Sequence, residues 1–327
     1  MTLKGKHVLV TGAGGFIGSH LTEALVTEGA QVRAFVRYNA NGRWGWLDDS
    51  PEKERVQVIL GDICDRDSIR NAMEDCAIVF HLAALIAIPY SYEAPHSYLR
   101  TNVEGTLNVL QSARELKIER LVHTSTSEAY GTARYVPIDE NHPLQAQSPY
   151  AATKIAADKM VEAFHRSYDV PAVTLRPFNT FGPRQSARAI VPTIVSQCLA
   201  GETLRLGNLS PMRDLNYVLN TVEGFLKAAL AEDVIGRVIN LGSGQEISID
   251  DLASRIAAIM GQRMTIEQEA NRERPPGSEV DRLLADATLA SDLLDWKPST
   301  AFDDGLRLTI DWIRNHPDEY RSETYAR

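Results

Sequence analysis

Tyr150 and Lys154 stand four residues apart in Tyr150-Ala-Ala-Thr-Lys154. On a helix that spacing puts a phenol and an ammonium on one face, one turn apart. A free phenol titrates near pH ~10 and is a poor base at neutrality. A neighbouring cation stabilises the phenolate, so the pair is expected to move a proton on and off a substrate hydroxyl. Far upstream, Val10-Thr-Gly-Ala-Gly-Gly-Phe-Ile-Gly18 continues the apolar run His7–Val10. A strand that runs into a glycine turn and then a helix offers free N–H groups to the phosphates of a dinucleotide. Gly12 is expected to make the turn, Gly15 to leave room for a pyrophosphate, and Gly18 to let the helix pack closely. Gly14, Phe16 and Ile17 complete this candidate cradle.

The elements that must position these groups alternate through the first half. Apolar runs at His7–Val10, Gln31–Val36, Val56–Leu60, Ala77–His81, Arg120–Thr124 and Ala172–Arg176 read as strands. Helical patterns separate them at Ile17–Glu28, Ser68–Met73, Tyr98–Leu116 and Pro149–Ser167. Nearly continuous apolar strands fit a parallel sheet covered on both faces. The expected fold is a doubly wound α/β sheet, a modified Rossmann domain, with its ligand at the C-terminal strand ends. After Arg176 the breaker-rich Pro177–Arg184 reads as a loop. A helix at Ile190–Ala200, a strand at Val238–Leu241, and helices at Ile249–Met260, Ala287–Leu294 and Phe302–Asn315 follow. Ser248 or Asp250 is available to cap the third of these elements, and Asn220 to cap a helix at Val222–Ala231. Residues 267–282, charged and proline-bearing, read as a loop. Residues 1–177 with part of 214–242 are assigned to dinucleotide binding. Residues 178–213 and 243–327 form a smaller α/β substrate domain.

Composition excludes several classes. The chain has 327 residues, 44% of them hydrophobic, enough for a large core, and a net charge of −9. That charge argues against a nucleic-acid surface. Cys64, Cys76 and Cys198 are too few and too scattered for a disulfide framework or a zinc site, and no metal is expected. A reducing cytoplasm is the simplest compartment. Thr2–Lys6 leads directly into the first strand, without the pattern of a secretory leader. The longest apolar run, Ala77–Ile88, carries a His and is too short to span a bilayer.

Together, Thr11–Gly18, Gly61-Asp62, His81-Leu82-Ala83-Ala84, Asn102, Ser125-Thr126, Tyr150-x-x-x-Lys154, Arg176-Pro177-Phe178-Asn179 and Arg213-Asp214 resemble the extended short-chain dehydrogenase/reductase family. The resemblance is to its sugar-nucleotide epimerase/dehydratase branch. It implies that Asp62 approaches the adenine, that Leu82, Ala83 and Ala84 line the dinucleotide, and that Lys154 holds the nicotinamide ribose. Ile63, Asn102, Thr124 and Pro177 join the cofactor set. Tyr90, Ser91, Asn179 and Val191 are expected at the sugar and phosphate, with Arg213 and Arg274 as cations at the nucleotide end.

The segment Thr126-Ser127-Glu128 bears on the reaction. Thr126 follows a strand and is expected to hydrogen-bond the hydroxyl that Tyr150 deprotonates. A C4 epimerase needs nothing more. Glu128 fits removal of a C5 proton once C4 is a ketone, which permits loss of the C6 hydroxyl as water. Many related dehydratases have Thr-Asp-Glu here; Ser127 replaces the Asp that acts as acid. Some GDP-mannose dehydratases and UDP-glucuronate decarboxylases resemble the Thr-Ser-Glu seen here. The resemblance therefore implies a nucleotide-sugar 4,6-dehydratase, most like the UDP-N-acetylglucosamine enzymes of legionaminic-type pathways through Ile88–Tyr92 and Arg176–Arg184. The alternatives are a decarboxylase, with Arg184 or Arg188 facing a carboxylate, a C4 epimerase, and an NADP-sensing regulator.

Two further expectations concern partners. The second strand closes with Phe35-Val36-Arg37, without an acid for a ribose 2′-hydroxyl; Arg37 favours a 2′-phosphate, hence NADP, with NAD as the alternative. Helices Tyr98–Leu116 and Pro149–Ser167 carry Val103, Leu107, Val109, Leu110, Ile155, Met160, Val161 and Phe164 on more than one face. One face of each must cover the sheet, and the remainder fits a two-fold bundle in a homodimer.

Overall fold

The computed structural model describes residues 2–320. In chain order, the first half builds β1 (His7–Thr11), α1 (Phe16–Thr27), β2 (Gln31–Arg37), β3 (Val56–Gly61), α2 (Arg66–Met73), β4 (Ile78–His81), α3 (Ile88–Glu93), α4 (Pro95–Tyr98), α5 (Gly105–Leu116), β5 (Arg120–Thr124), α6 (Pro149–Tyr168) and β6 (Ala172–Pro177). The second half builds β7 (Asn179–Phe181), α7 (Ile190–Ala200), β8 (Thr203–Leu206), β9 (Met212–Tyr217), α8 (Val218–Leu230), β10 (Val238–Leu241), β11 (Glu246–Ser248), α9 (Ile249–Ile259), β12 (Thr265–Gln268), β13 (Arg282–Leu283), α10 (Thr288–Leu294) and α11 (Phe302–Asn315).

Seven parallel strands form the main sheet in the order β10-β6-β5-β4-β1-β2-β3. Val8, Leu9, Val10, Ile78, Val79, Phe80, Leu121 and Val122 are fully buried, as a doubly covered parallel sheet requires. The strand order reverses between β1 and β4, so their C-terminal ends frame the crevice of the doubly wound fold. A second sheet sets β9 between antiparallel β11 and parallel β13, with β7 also paired to β9. Parallel β8 and β12 make a third pair. No helix among the described residues is long and apolar enough to cross a membrane.

Three sequence expectations are corrected. Tyr98–Leu116 is not one regular helix: α4 ends at Tyr98 and Leu99–Glu104 is a π-helical stretch before α5. The stretch contains Asn102, whose side chain is committed to the neighbouring loop. Its Oδ1 accepts from Leu85 N at 2.8 Å, and its Nδ2 donates to Leu85 O and Thr153 Oγ1. Asn220 does not cap a helix, because α8 starts earlier and Asn220 lies inside it. Its Oδ1 instead accepts from Ser299 N and Thr300 N, fastening that strap to α8. The span 267–282 is not wholly loop, since β12 reaches Gln268 and β13 begins at Arg282. Ser248 caps α9 as expected, accepting from Asp251 N at 2.9 Å; Asp250 lies in the first turn.

Candidate active site

The glycine turn is fixed by contacts that exclude side chains. Gly12 sits at φ +73, and a Cβ there would lie 2.9 Å from Ala83 N. A Cβ on Gly18 would lie 2.1 Å from Gly12 O, so α1 closes directly onto the turn. Thr11 locks the facing loop by accepting from Leu82 N at 3.2 Å and Ala83 N at 3.1 Å. With both N–H groups donating to it, the Thr11 hydroxyl donates to His81 Nδ1. His81 Nε2 then donates to Thr106 Oγ1, which donates to Asn102 O. Burial, then His123 and Lys154, hold this imidazole neutral, well below its ordinary range.

These walls enclose a cavity of about 1310 Å³. Gly12, Gly14, Gly15, Phe16, Ile17, Gly18, Arg37, Asp62, Ile63, Leu82, Ala83 and Ala84 line it at one end. Thr124, Thr126, Ser127, Glu128, Tyr90, Tyr150, Lys154, Pro177 and Asn179 also line it. Asp62 Oδ1 accepts from Cys64 N at 2.9 Å, so the carboxylate also stiffens its own turn. A glycine-lined cradle at a helix N-terminus fits a dinucleotide.

Ser148 caps α6 by accepting from Ala151 N, and Pro149 occupies its first turn. That register brings Tyr150 and Lys154 to one face beneath the end of β5. Lys154 Nζ donates to Thr124 O at 2.5 Å and is buried. Burial brings it down to about 8, with Asp158 opposing the shift. Tyr150 departs from the sequence expectation. Burial pushes its phenol above the ordinary value, against a hydrogen bond from Thr126 and with Glu128 adding to the rise. Lys154 donates to a backbone carbonyl rather than to the phenol, which explains why the expected depression is absent in the ligand-free protein.

Thr126 caps the short turn Ser127–Tyr130, its Oγ1 accepting from Glu128 N at 3.2 Å. Glu128 is only 8% exposed and faces Arg274 at 3.7 Å. Arg274 also approaches Glu279 at 3.8 Å, and Arg213 Nη2 donates to the same Glu279 oxygen at 3.1 Å. The two arginines thus meet carboxylates beside Glu128 and do not line the main cavity. Above them, Tyr92 Oη and Ser278 Oγ share a hydrogen bond of 2.5 Å, and Ser278 also donates to Gln147 O. These bonds tie the loop carrying Arg274 to Tyr92 of α3 and to the segment before α6.

Four expected residues lie elsewhere or serve other contacts. Val191 is 1% exposed within the apolar core behind the cavity, because α7 turns that face inward. Ser91 Oγ donates to Ile88 O within its own helix and is fully buried. Asn102 braces the cavity loop from behind, as described above. Arg184 lines the cavity, but its guanidinium turns to Ser19 and Glu23 on α1, leaving it engaged away from any substrate carboxylate.

Sequence reasoning missed a buried network under the site. Asp158 Oδ1 accepts from His123 Nε2, and its Oδ2 from Ser125 Oγ and Arg176 Nη2. Its position four residues after Lys154 was the available signal.

Residues 9–309 match the family described as GDP-mannose 4,6 dehydratase. The chain belongs to this family of sugar-nucleotide dehydratases and epimerases. Low-salt glycan biosynthesis protein Agl12 of Haloferax volcanii is 32% identical, over 93% of this chain and 97% of its own. Among solved structures, epimerase Mth375 of Methanothermobacter thermautotrophicus has a TM-score of 0.89 and 31% identity, covering 98% of this chain and 96% of that one. The dTDP-glucose 4,6-dehydratase DesIV of Streptomyces venezuelae, solved with NAD bound, has a TM-score of 0.87 and 27% identity, covering 96% and 99%. The GDP-mannose 4,6 dehydratase family thus includes both reaction types among this chain's relatives.

Proposed function

We propose that this protein is an NAD(P)-dependent 4,6-dehydratase of a nucleotide-activated hexose, giving the 4-keto-6-deoxy sugar. The observation that carries the reading is Glu128. Its carboxylate lines the cavity beside Thr126 and Tyr150, 8% exposed and facing Arg274 at 3.7 Å, where it can reach a proton of a bound sugar. C4 epimerisation has no task for it.

In this reading the bound nicotinamide supplies hydride exchange at the sugar. Tyr150 takes the proton of the 4-hydroxyl, with Thr126 hydrogen-bonded to the same oxygen. Lys154 holds the nicotinamide ribose. Glu128 removes the proton at C5, which the adjacent ketone acidifies. Once protonated, Glu128 stands ready to donate to the departing C6 hydroxyl, a task Ser127 cannot perform as an acid of suitable strength. Arg213 and Arg274 exchange Glu279 for the substrate diphosphate. The sugar is proposed to be UDP-N-acetylglucosamine, on the likeness of Ile88–Tyr92 and Arg176–Arg184 noted above. Residues 1–177 with part of 214–242 would bind the dinucleotide, and residues 178–213 and 243–327 the sugar nucleotide. Arg37, exposed at the end of β2 and lining the cavity, supports NADP as the preferred form.

The test is Glu128→Gln. It should still oxidise C4, so the near-ultraviolet absorbance of reduced nicotinamide builds up with substrate, while release of 4-keto-6-deoxy sugar stops. Product release at the wild-type rate would remove Glu128 from the reaction.

A further inference from the structure

A counter-charge lies beneath the reacting pair. Asp158 follows Lys154 by one helical turn on α6 and is 5% exposed, as is Lys154. Three donors bind its carboxylate: His123 Nε2 at 3.2 Å, Ser125 Oγ at 2.6 Å and Arg176 Nη2 at 2.9 Å. They come from β5, the segment leaving β5, and β6. A carboxylate held from both strands is fixed relative to the sheet, and α6 is fixed with it.

The groups around it are few. His123 faces it from β5, with His81 of β4 behind that ring at 5.6 Å between centroids, and both imidazoles are held neutral chiefly by burial. Arg176 comes from β6 and lies over the Tyr130 ring at 4.9 Å. Tyr150 shares α6, Glu128 stands on the turn after β5, and Tyr98 packs from α4 edge-on to Tyr150. Burial alone would raise the Asp158 carboxyl. The hydrogen bond from His123 and the charge of Arg176 outweigh it and take the group well below the ordinary range. Asp158 is therefore an anion, and it is the charge that opposes the loss of the proton from Lys154.

We propose that Asp158 is a positioning residue of this site: fixed from β5 and β6, it is the buried counter-charge one helical turn after Lys154 that keeps Lys154 an ammonium. The proposal rests on the reading of Tyr150 and Lys154 as the proton-moving pair. Asp158→Asn leaves Arg176 and Lys154 as buried cations without this anion. Lys154 then sheds its proton at lower pH. Activity that needs the ammonium is lost from the alkaline side.

Lys154 is followed directly in the ligand-free protein by NMR of lysine labelled at Cε, its signal assigned with Lys154→Arg. The wild-type midpoint should fall near 8. Asp158→Asn should lower it by about one pH unit or more. Should that variant fail to fold, Asp158→Ser removes the same negative charge with a smaller neutral side chain that can still hydrogen-bond, and the same downward movement is expected. An unmoved midpoint in either folded variant overturns the proposal. Turnover gives a second reading: the loss caused by Asp158→Asn should be about fivefold larger at pH ~8 than at pH ~6 for a one-unit shift. An equal loss at both marks a purely structural role and overturns it too. A wild-type protein inactive on every nucleotide sugar would sink the dehydratase reading and leave the Lys154 titration to decide this one.

Discussion

Gly18→Ala is expected to cripple dinucleotide binding while leaving the chain folded. The added Cβ would lie 2.1 Å from Gly12 O and 2.9 Å from Gly12 C. Restoring ordinary contact at 3.4 Å needs a movement of 3.4 − 2.1 = 1.3 Å, and the obstructing atoms are backbone. The turn has no free direction to take. Gly12 O already accepts from Gly15 N at 3.0 Å, and Gly12 abuts Ala83 N, which Thr11 holds. Overpacking of this kind costs about 1–3 kcal/mol. At about 1.4 kcal/mol per tenfold, opening the turn to relieve it would raise the dissociation constant about 5- to 150-fold. Gly201→Ala is the control, since a Cβ there meets nothing within 4 Å. The assay is calorimetric titration of the nucleotide-stripped protein with NAD and with NADP, alongside thermal unfolding. Affinity within about twofold of wild type in a folded Gly18→Ala protein, where tenfold is worth ~1.4 kcal/mol, would refute the reasoning.

Three other outcomes are expected. Tyr150→Phe should lower kcat by at least ~100-fold with cofactor affinity retained, and near-normal turnover would remove the phenol from proton transfer. NADP should bind more tightly than NAD, and Arg37→Ala should narrow the gap in the same titration; a preference for NAD untouched by Arg37→Ala would show that this arginine reads no phosphate. In light scattering the protein should run at about twice its 36.2 kDa mass, through the faces of α5 and α6 turned from the sheet. A monomer at micromolar concentration would contradict that.

Much of the frame was legible because local and global signals agree. Continuous apolar runs marked β1 to β6 within a residue or so, since burial on both faces leaves no polar alternation. Gly12, Tyr150 and Lys154 were legible because each answers a local demand for a turn or a shared helix face. The rest depends on packing between distant segments. Val191 faces the core because of how α7 meets α9 and α11, which no local pattern encodes. Asn220 gives up capping for a strap eighty residues away. The phenol of Tyr150 rises rather than falls because its burial, invisible in Tyr-x-x-x-Lys, outweighs the hydrogen bond from Thr126, while Lys154 is turned to Thr124 O. Asp158 escaped notice because its partners, His123, Ser125 and Arg176, converge only in the sheet.

The central claim, dehydration at a nucleotide-activated hexose, is tested most directly by product mass. The purified protein is incubated with UDP-N-acetylglucosamine, UDP-glucose, dTDP-glucose, GDP-mannose and UDP-glucuronate, and the sugar nucleotides are weighed by mass spectrometry. Loss of one water from a hexose nucleotide, UDP-N-acetylglucosamine foremost, is the expected result. An unchanged mass with an inverted C4 centre, or loss of carbon dioxide from UDP-glucuronate, would contradict it.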